Sequence, residues 1–132
     1  MGFGEWVKNR QLRKDAAAAS ALEQMRYSTG VNRGTLVVHV VRVYQIARRG
    51  TKAVVEMDSN GRTRDAWFWY GRVARGQCHL VSASSGYGPH TNCDNVLYIG
   101  HEGGTHGILQ TLSPRQARRA LRYERSRGER ED

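Results

Sequence analysis

Two cysteines, three lysines and no long apolar run set the first limits on this chain. Cys78 and Cys93 are too few for a disulfide framework, which points to a reducing compartment, either the cytoplasm or the inside of a nucleoprotein particle. No stretch approaches the roughly 20 consecutive apolar residues that a bilayer span needs, and the N-terminus lacks the apolar core of a signal peptide, so a soluble protein without a membrane partner is expected. A chain of 132 residues builds one modest core and not two. It divides into a helical extension over 1–30, a β-barrel domain over 31–112, and a basic helix and tail over 113–132.

Acidic residues are also scarce: 12 Asp and Glu stand against 21 Lys and Arg, a net charge of +9. Eighteen of the cations are arginine. A guanidinium makes planar, bidentate phosphate contacts and stacks on bases, so a nucleic-acid partner is favoured. A GC-rich genome would also enrich arginine, but it would not create the excess of positive charge. The cations are unevenly spread. Residues 42–75 carry eight basic and three acidic side chains, whereas residues 76–112 have no Lys or Arg and hold both cysteines and four of the five histidines.

The chain is organised around residues 35–70, three strand-like runs joined by two glycine-bearing turns. Leu36, Val37, Val38, Val40, Val41 and Val43 place apolar groups on both parities, which suits a strand inside a closed sheet and disfavours a helix. Arg48-Arg49-Gly50 supplies the first turn. Lys52–Met57 is the second run, and Asp58-Ser59-Asn60-Gly61 is a strong hairpin signal. A two-residue Asn60-Gly61 loop would oppose Glu56 and Asp65, so a three-residue loop with Gly61 left-handed, pairing Asp58 with Arg62 and Glu56 with Arg64, is preferred. Ala66–Tyr70 then directs Trp67 and Trp69 to one face and Phe68 and Tyr70 to the other. Gln77–Ala83 and Asn95–Ile99 read as further strands, Ser84–Pro89 and Gly100–Gly107 as loops, and Ile108-Leu109 as a closing strand.

Residues 4–27 read as a helix sustained by its alanines, with a thin apolar stripe at Leu22 and Met25 that docks on the sheet or on another chain. The C-terminal helix opens on Ser113, with Pro114 at its first position and Gln116 completing a Ser-x-x-Gln capping box. The fold class that follows is mainly β with flanking helices (α+β): a small antiparallel five- or six-stranded barrel or rolled sheet, OB- or SH3-like, between two helices.

Three chemistries suit these residues. Trp67 and Trp69 beside Arg62, Arg64 and Arg72 would make a stacking platform for single-stranded nucleic acid, with Arg115, Arg118, Arg119 and Arg122 adding phosphate contacts. Cys78, His79, His90 and Cys93 carry zinc-ligand chemistry but lack ligand spacing, and His101-Glu102-Gly103-Gly104-Thr105-His106 misses the zinc-protease pattern by one position. His79, His90, His101 or His106, with Asp94 or Glu102, would serve general acid–base work in a small nuclease. No cofactor is implied. The expected function is nucleic-acid binding by backbone electrostatics and aromatic stacking. The alternative is an assembly component of a virion or head–tail connector, oligomerising through residues 76–112 and the terminal helices.

Overall fold

The computed structural model describes residues 3–84, 96–104 and 106–131. Its elements follow in the order α1 (Phe3–Val31), β1 (Thr35–Ala47), β2 (Gly50–Met57), β3 (Thr63–Trp69), β4 (Cys78–Ser84), β5 (Val96–Ile99), β6 (Ile108–Leu112) and α2 (Pro114–Glu131). The six strands form one sheet in the order β1-β2-β3-β5-β4-β6, and a β1–β4 pairing closes five of them into a ring. The architecture is therefore α+β. The antiparallel expectation needs one correction, because β3 and β5 run parallel and make the sheet mixed. A parallel pair needs a crossover, and the chain makes it by running back through β4 before reaching β5.

The two faces of the ring are filled differently. Inside lie Val38, Val40, Ala53, Val55, Ala66, Phe68, Val73, Val81, Leu97 and Ile99. On the outer face of β1, β4 and β6, Val37, Cys78, Leu80 and Leu112 pack against Ala18, Ala19, Leu22 and Met25 of α1 and Ala117 and Ala120 of α2. The thin stripe on α1 is thus buried against the sheet, where small alanines allow close approach. The helix runs four residues beyond the expected end at 27, because Thr29 Oγ1 donates to the Arg26 carbonyl and Asn32 N to the Ser28 carbonyl. At α2 the capping box forms reciprocally: Ser113 N donates to Gln116 Oε1 at 2.9 Å, and Gln116 N to Ser113 Oγ at 3.2 Å.

Both hairpin registers considered for β2–β3 are replaced by a third. Glu56 pairs with Thr63 and Val55 with Arg64, and Met57 N donates to the Arg62 carbonyl, leaving a four-residue loop over 58–61. Gly61 is left-handed as expected, at φ +71°. The register follows from the hydrophobic pattern. It sets Ala53 opposite Ala66 and Thr51 opposite Phe68, so the phenylalanine goes inside, whereas the preferred three-residue loop would have shifted the partners by one and turned the indoles inward. Asp58 leaves the ladder: its backbone N donates to the Val37 carbonyl and its carboxylate turns to Arg26 and His39.

Candidate nucleic-acid interface

The indoles do not form the bare ledge expected of a stacking platform. Trp67 is 6% exposed and Trp69 1%, and they meet edge to face at 5.6 Å with Tyr98 beside them on the outer side of β3 and β5. The terminal helices pack on β1, β4 and β6, a different part of the outer face. Nor do the nearby guanidinium groups ring the indoles. Alternation along β3 puts Arg62 and Arg64 on the parity of Ala66 and Phe68, opposite to Trp67 and Trp69. Arg72 lies exposed beyond the strand end, donating to the Gly71 carbonyl.

The histidines and cysteines divide in the same way. Cys78 and His79 are neighbours on β4 and so point to opposite faces; the thiol faces the helices and the imidazole the ring interior. His79 Nε2 donates to Gln77 Oε1 at 3.0 Å, which also accepts the Ala74 amide, and its Nδ1 accepts from Thr111 Oγ1 at 2.9 Å. Burial pushes its pKa down to about 4, so it is neutral and both ring nitrogens are satisfied. Among the described residues no group of three potential ligands converges on a metal position. His101 and His106 are exposed, the latter accepting the Ile108 amide through Nδ1 at 3.0 Å. His90, Cys93 and Asp94 lie outside the described residues.

One histidine that composition did not single out carries the strongest electrostatics. His39 Nε2 lies 3.0 Å from Asp58 Oδ1 and 4.0 Å from Cys78 Sγ. Arg26 grips the same carboxylate from α1, Nε to Oδ2 at 2.8 Å and Nη2 to Oδ1 at 3.0 Å, and its Nη1 reaches Glu124 of α2. The hydrogen bond to Asp58 raises the His39 pKa to about 10, with Cys78 contributing, while His39 and Arg26 overcome burial to hold the Asp58 carboxyl far below the usual range. Because one imidazole nitrogen faces both the carboxylate and a fully buried thiol, this cluster is not a nucleophile–base–acid relay. It ties β1, the 58–61 loop and both helices together. A raised histidine pKa gives stability that is complete below the unfolded value near 6.5 and is lost as pH climbs toward 10. The unfolding midpoint is expected to fall by roughly 5 °C between pH 7 and 10. A His39→Gln variant, scanned in parallel, should lack that slope.

The helix cations sort into structural and free. Asp15, buried on α1, takes Arg122 through two contacts, 2.9 and 2.8 Å, and Arg119 at 3.3 Å. The Arg122 hydrogen bond keeps the Asp15 carboxyl below its ordinary pKa despite burial. These two arginines, expected as phosphate ligands, thus hold α1 to α2, and Arg119 does so while reaching the groove beside it. That groove, about 380 Å³, is lined by Lys14, Ala17, Ala18 and Ala21 of α1 and by Leu112, Arg115, Gln116 and Arg119. Arg10, one turn before Lys14 on the same face, pushes the Lys14 ammonium below its usual pKa, and desolvation, Arg119 and Arg115 act in the same direction. Among the described residues no acid lines this groove. Arg118 is exposed on α2 nearby in sequence. Sequence reasoning found Arg115 and Arg119 but not Lys14, because only the packing of two helices brings them to one groove.

No protein-family model, curated protein or solved structure matches the chain.

Proposed function

We propose that this chain binds nucleic acid through the sugar–phosphate backbone, held in the groove between α1 and α2. The observation that supports this reading is the convergence of Lys14 and Arg115, with Arg10 adjacent and Arg119 reaching in from its pair with Asp15, on a cleft with no acidic lining among the described residues. Like charges held together destabilise the isolated fold, and an anion that neutralises them recovers that loss. The alanine floor lets a backbone approach without obstruction. Stacking on Trp67 and Trp69 has no part in this reading, because both rings are buried. The five-strand ring is read as a small barrel of the OB- or SH3-like kind that acts as the platform for the helices. Its place is the cytoplasm or a nucleoprotein particle.

The test is anisotropy of labelled mixed-sequence oligonucleotides, single- and double-stranded, across a salt series. Affinity should fall linearly with salt on logarithmic axes. Replacing Arg10, Lys14 and Arg115 together by glutamine should flatten the slope by about one per cation removed. Affinity weaker than about 1 mM in low salt, or a flat salt profile, would refute the proposal.

A second reading, an assembly component, rests on a different observation. Residues 4–14 of α1 are exposed throughout, yet they carry Trp6, Val7 and Leu12. An arm of this kind would suit a neighbouring copy. In that case the purified protein forms rings or larger oligomers, and removing residues 1–10 returns it to a monomer that is still folded.

A further inference from the structure

We infer that the distal half of β1, together with residues 71–76, is a docking edge for an extended peptide of alternating acidic and apolar residues on a partner protein. β1 is held on both sides only as far as Val40, whose N donates to the Gln77 carbonyl and whose carbonyl accepts from Gly76, both at 2.8 Å. From Val41 to Ala47 its ladder among the described residues is with β2 alone. Residues 71–76 connect the two ends of this stretch, with Val73 turned into the ring interior. They start where Tyr70 N donates to the Arg49 carbonyl and Thr51 Oγ1 to the Gly71 carbonyl, and they rejoin β1 at Val40. No strand pairing joins the two between those anchors among the described residues.

The edge combines exposed apolar groups with an excess of positive charge. Ile46 is 68% exposed, Val41 42% and Tyr44 41%. Arg42, Arg48, Arg49, Arg72 and Arg75 are exposed around them, and neither 40–49 nor 71–76 contains an acid. Among the described residues, the acids that reach this region from other elements are Asp65, accepting from the Tyr44 hydroxyl at 3.3 Å, and Glu102, accepting from Arg49 at 3.4 Å. A strand added here gains backbone hydrogen bonds from the edge and specificity from alternate side chains. Carboxylates would meet the arginines while apolar residues cover Val41 and Ile46. A second copy of this chain is disfavoured, because its own edge would bring the same five guanidinium groups face to face. A polynucleotide would satisfy the charge but not the aliphatic groups. Bulges at Val41 and Tyr44 interrupt the edge and limit it to a short, matching segment.

The probe is a fluorescein-labelled octapeptide alternating Glu with Val and Ile, titrated against the full chain in low salt. Saturable binding is expected, at least tenfold weaker when alternate backbone amides of the peptide are N-methylated. It should weaken at least tenfold with Ile46→Asp or Arg42→Glu, each checked for folding by circular dichroism. Equal affinity of the N-methylated peptide reduces the attraction to charge alone and overturns the proposal. The same variants are titrated with the oligonucleotide, whose affinity should stay within twofold. Should the oligonucleotide lose affinity tenfold while the peptide does not, the edge is a nucleic-acid surface and the proposal is likewise overturned.

Discussion

Asp58→Asn should destabilise the protein by about 3 kcal/mol, because it removes the anion shared by Arg26 and the protonated His39 and leaves these partly buried groups without it. Arg26 and His39 both spend hydrogen bonds on this carboxylate, and Arg26 is also held to Glu124. The substitution keeps the shape of the side chain, so the loss reflects charge and not a cavity. The backbone anchor of the 58–61 loop, from the residue 58 amide to the Val37 carbonyl, is untouched. The expected drop in the thermal midpoint is roughly 10 °C for a domain of this size. A second readout separates electrostatics from general damage. The His39 ring, followed by NMR, should titrate again near its ordinary value of about 6.5. A variant that melts within about 2 °C of the parent, or whose His39 keeps its elevated pKa, would show that the cluster does not bind these elements together.

Gly50→Ala should cost about 3 kcal/mol, although glycine is normally the weaker choice within a strand. A Cβ at this position would stand 2.3 Å from the Phe68 carbonyl oxygen and 2.8 Å from Cζ2 of Trp67. Phe68 is fully buried, and Gly50 pairs with Trp69 across the β2–β3 ladder, so the backbone can yield only by opening that ladder. Two contacts are involved, and they can be told apart. Adding Trp67→Leu removes the indole clash but leaves the carbonyl, so the double variant should recover little. Chemical denaturation of the single and double variants decides it. Full recovery in the double variant would place the constraint in the indole, and an alanine as stable as glycine would refute the steric account.

Gly50 also shows how local reading goes astray. As part of Arg48-Arg49-Gly50 it looks like turn chemistry, yet Ala47 pairs with Gly50 and the turn is only the two arginines. The glycine is there for space, which no local window reveals. Trp67 and Trp69 failed in a related way. Alternation correctly put them on one face, but whether that face is bare depends on what the fold lays over it. Arg62 and Arg64 flank the indoles in sequence and oppose them in space, since neighbours on a strand point apart. By contrast, the α2 capping box was readable to the residue, because both of its hydrogen bonds close within four positions.

From its sequence alone this protein was bound to have a valine-rich meander, a helix at each end, a left-handed Gly61 and a strong excess of positive charge, all of which follow from composition and short-range spacing. Tertiary structure decided the rest: the parallel β3–β5 pair, the hairpin register, and which arginines are spent on Asp15 and which face solvent. The physical reason is range. Propensity, capping and alternation act over a few residues, whereas burial and ion pairing join groups such as Arg26 and Glu124 that only the closed fold brings together.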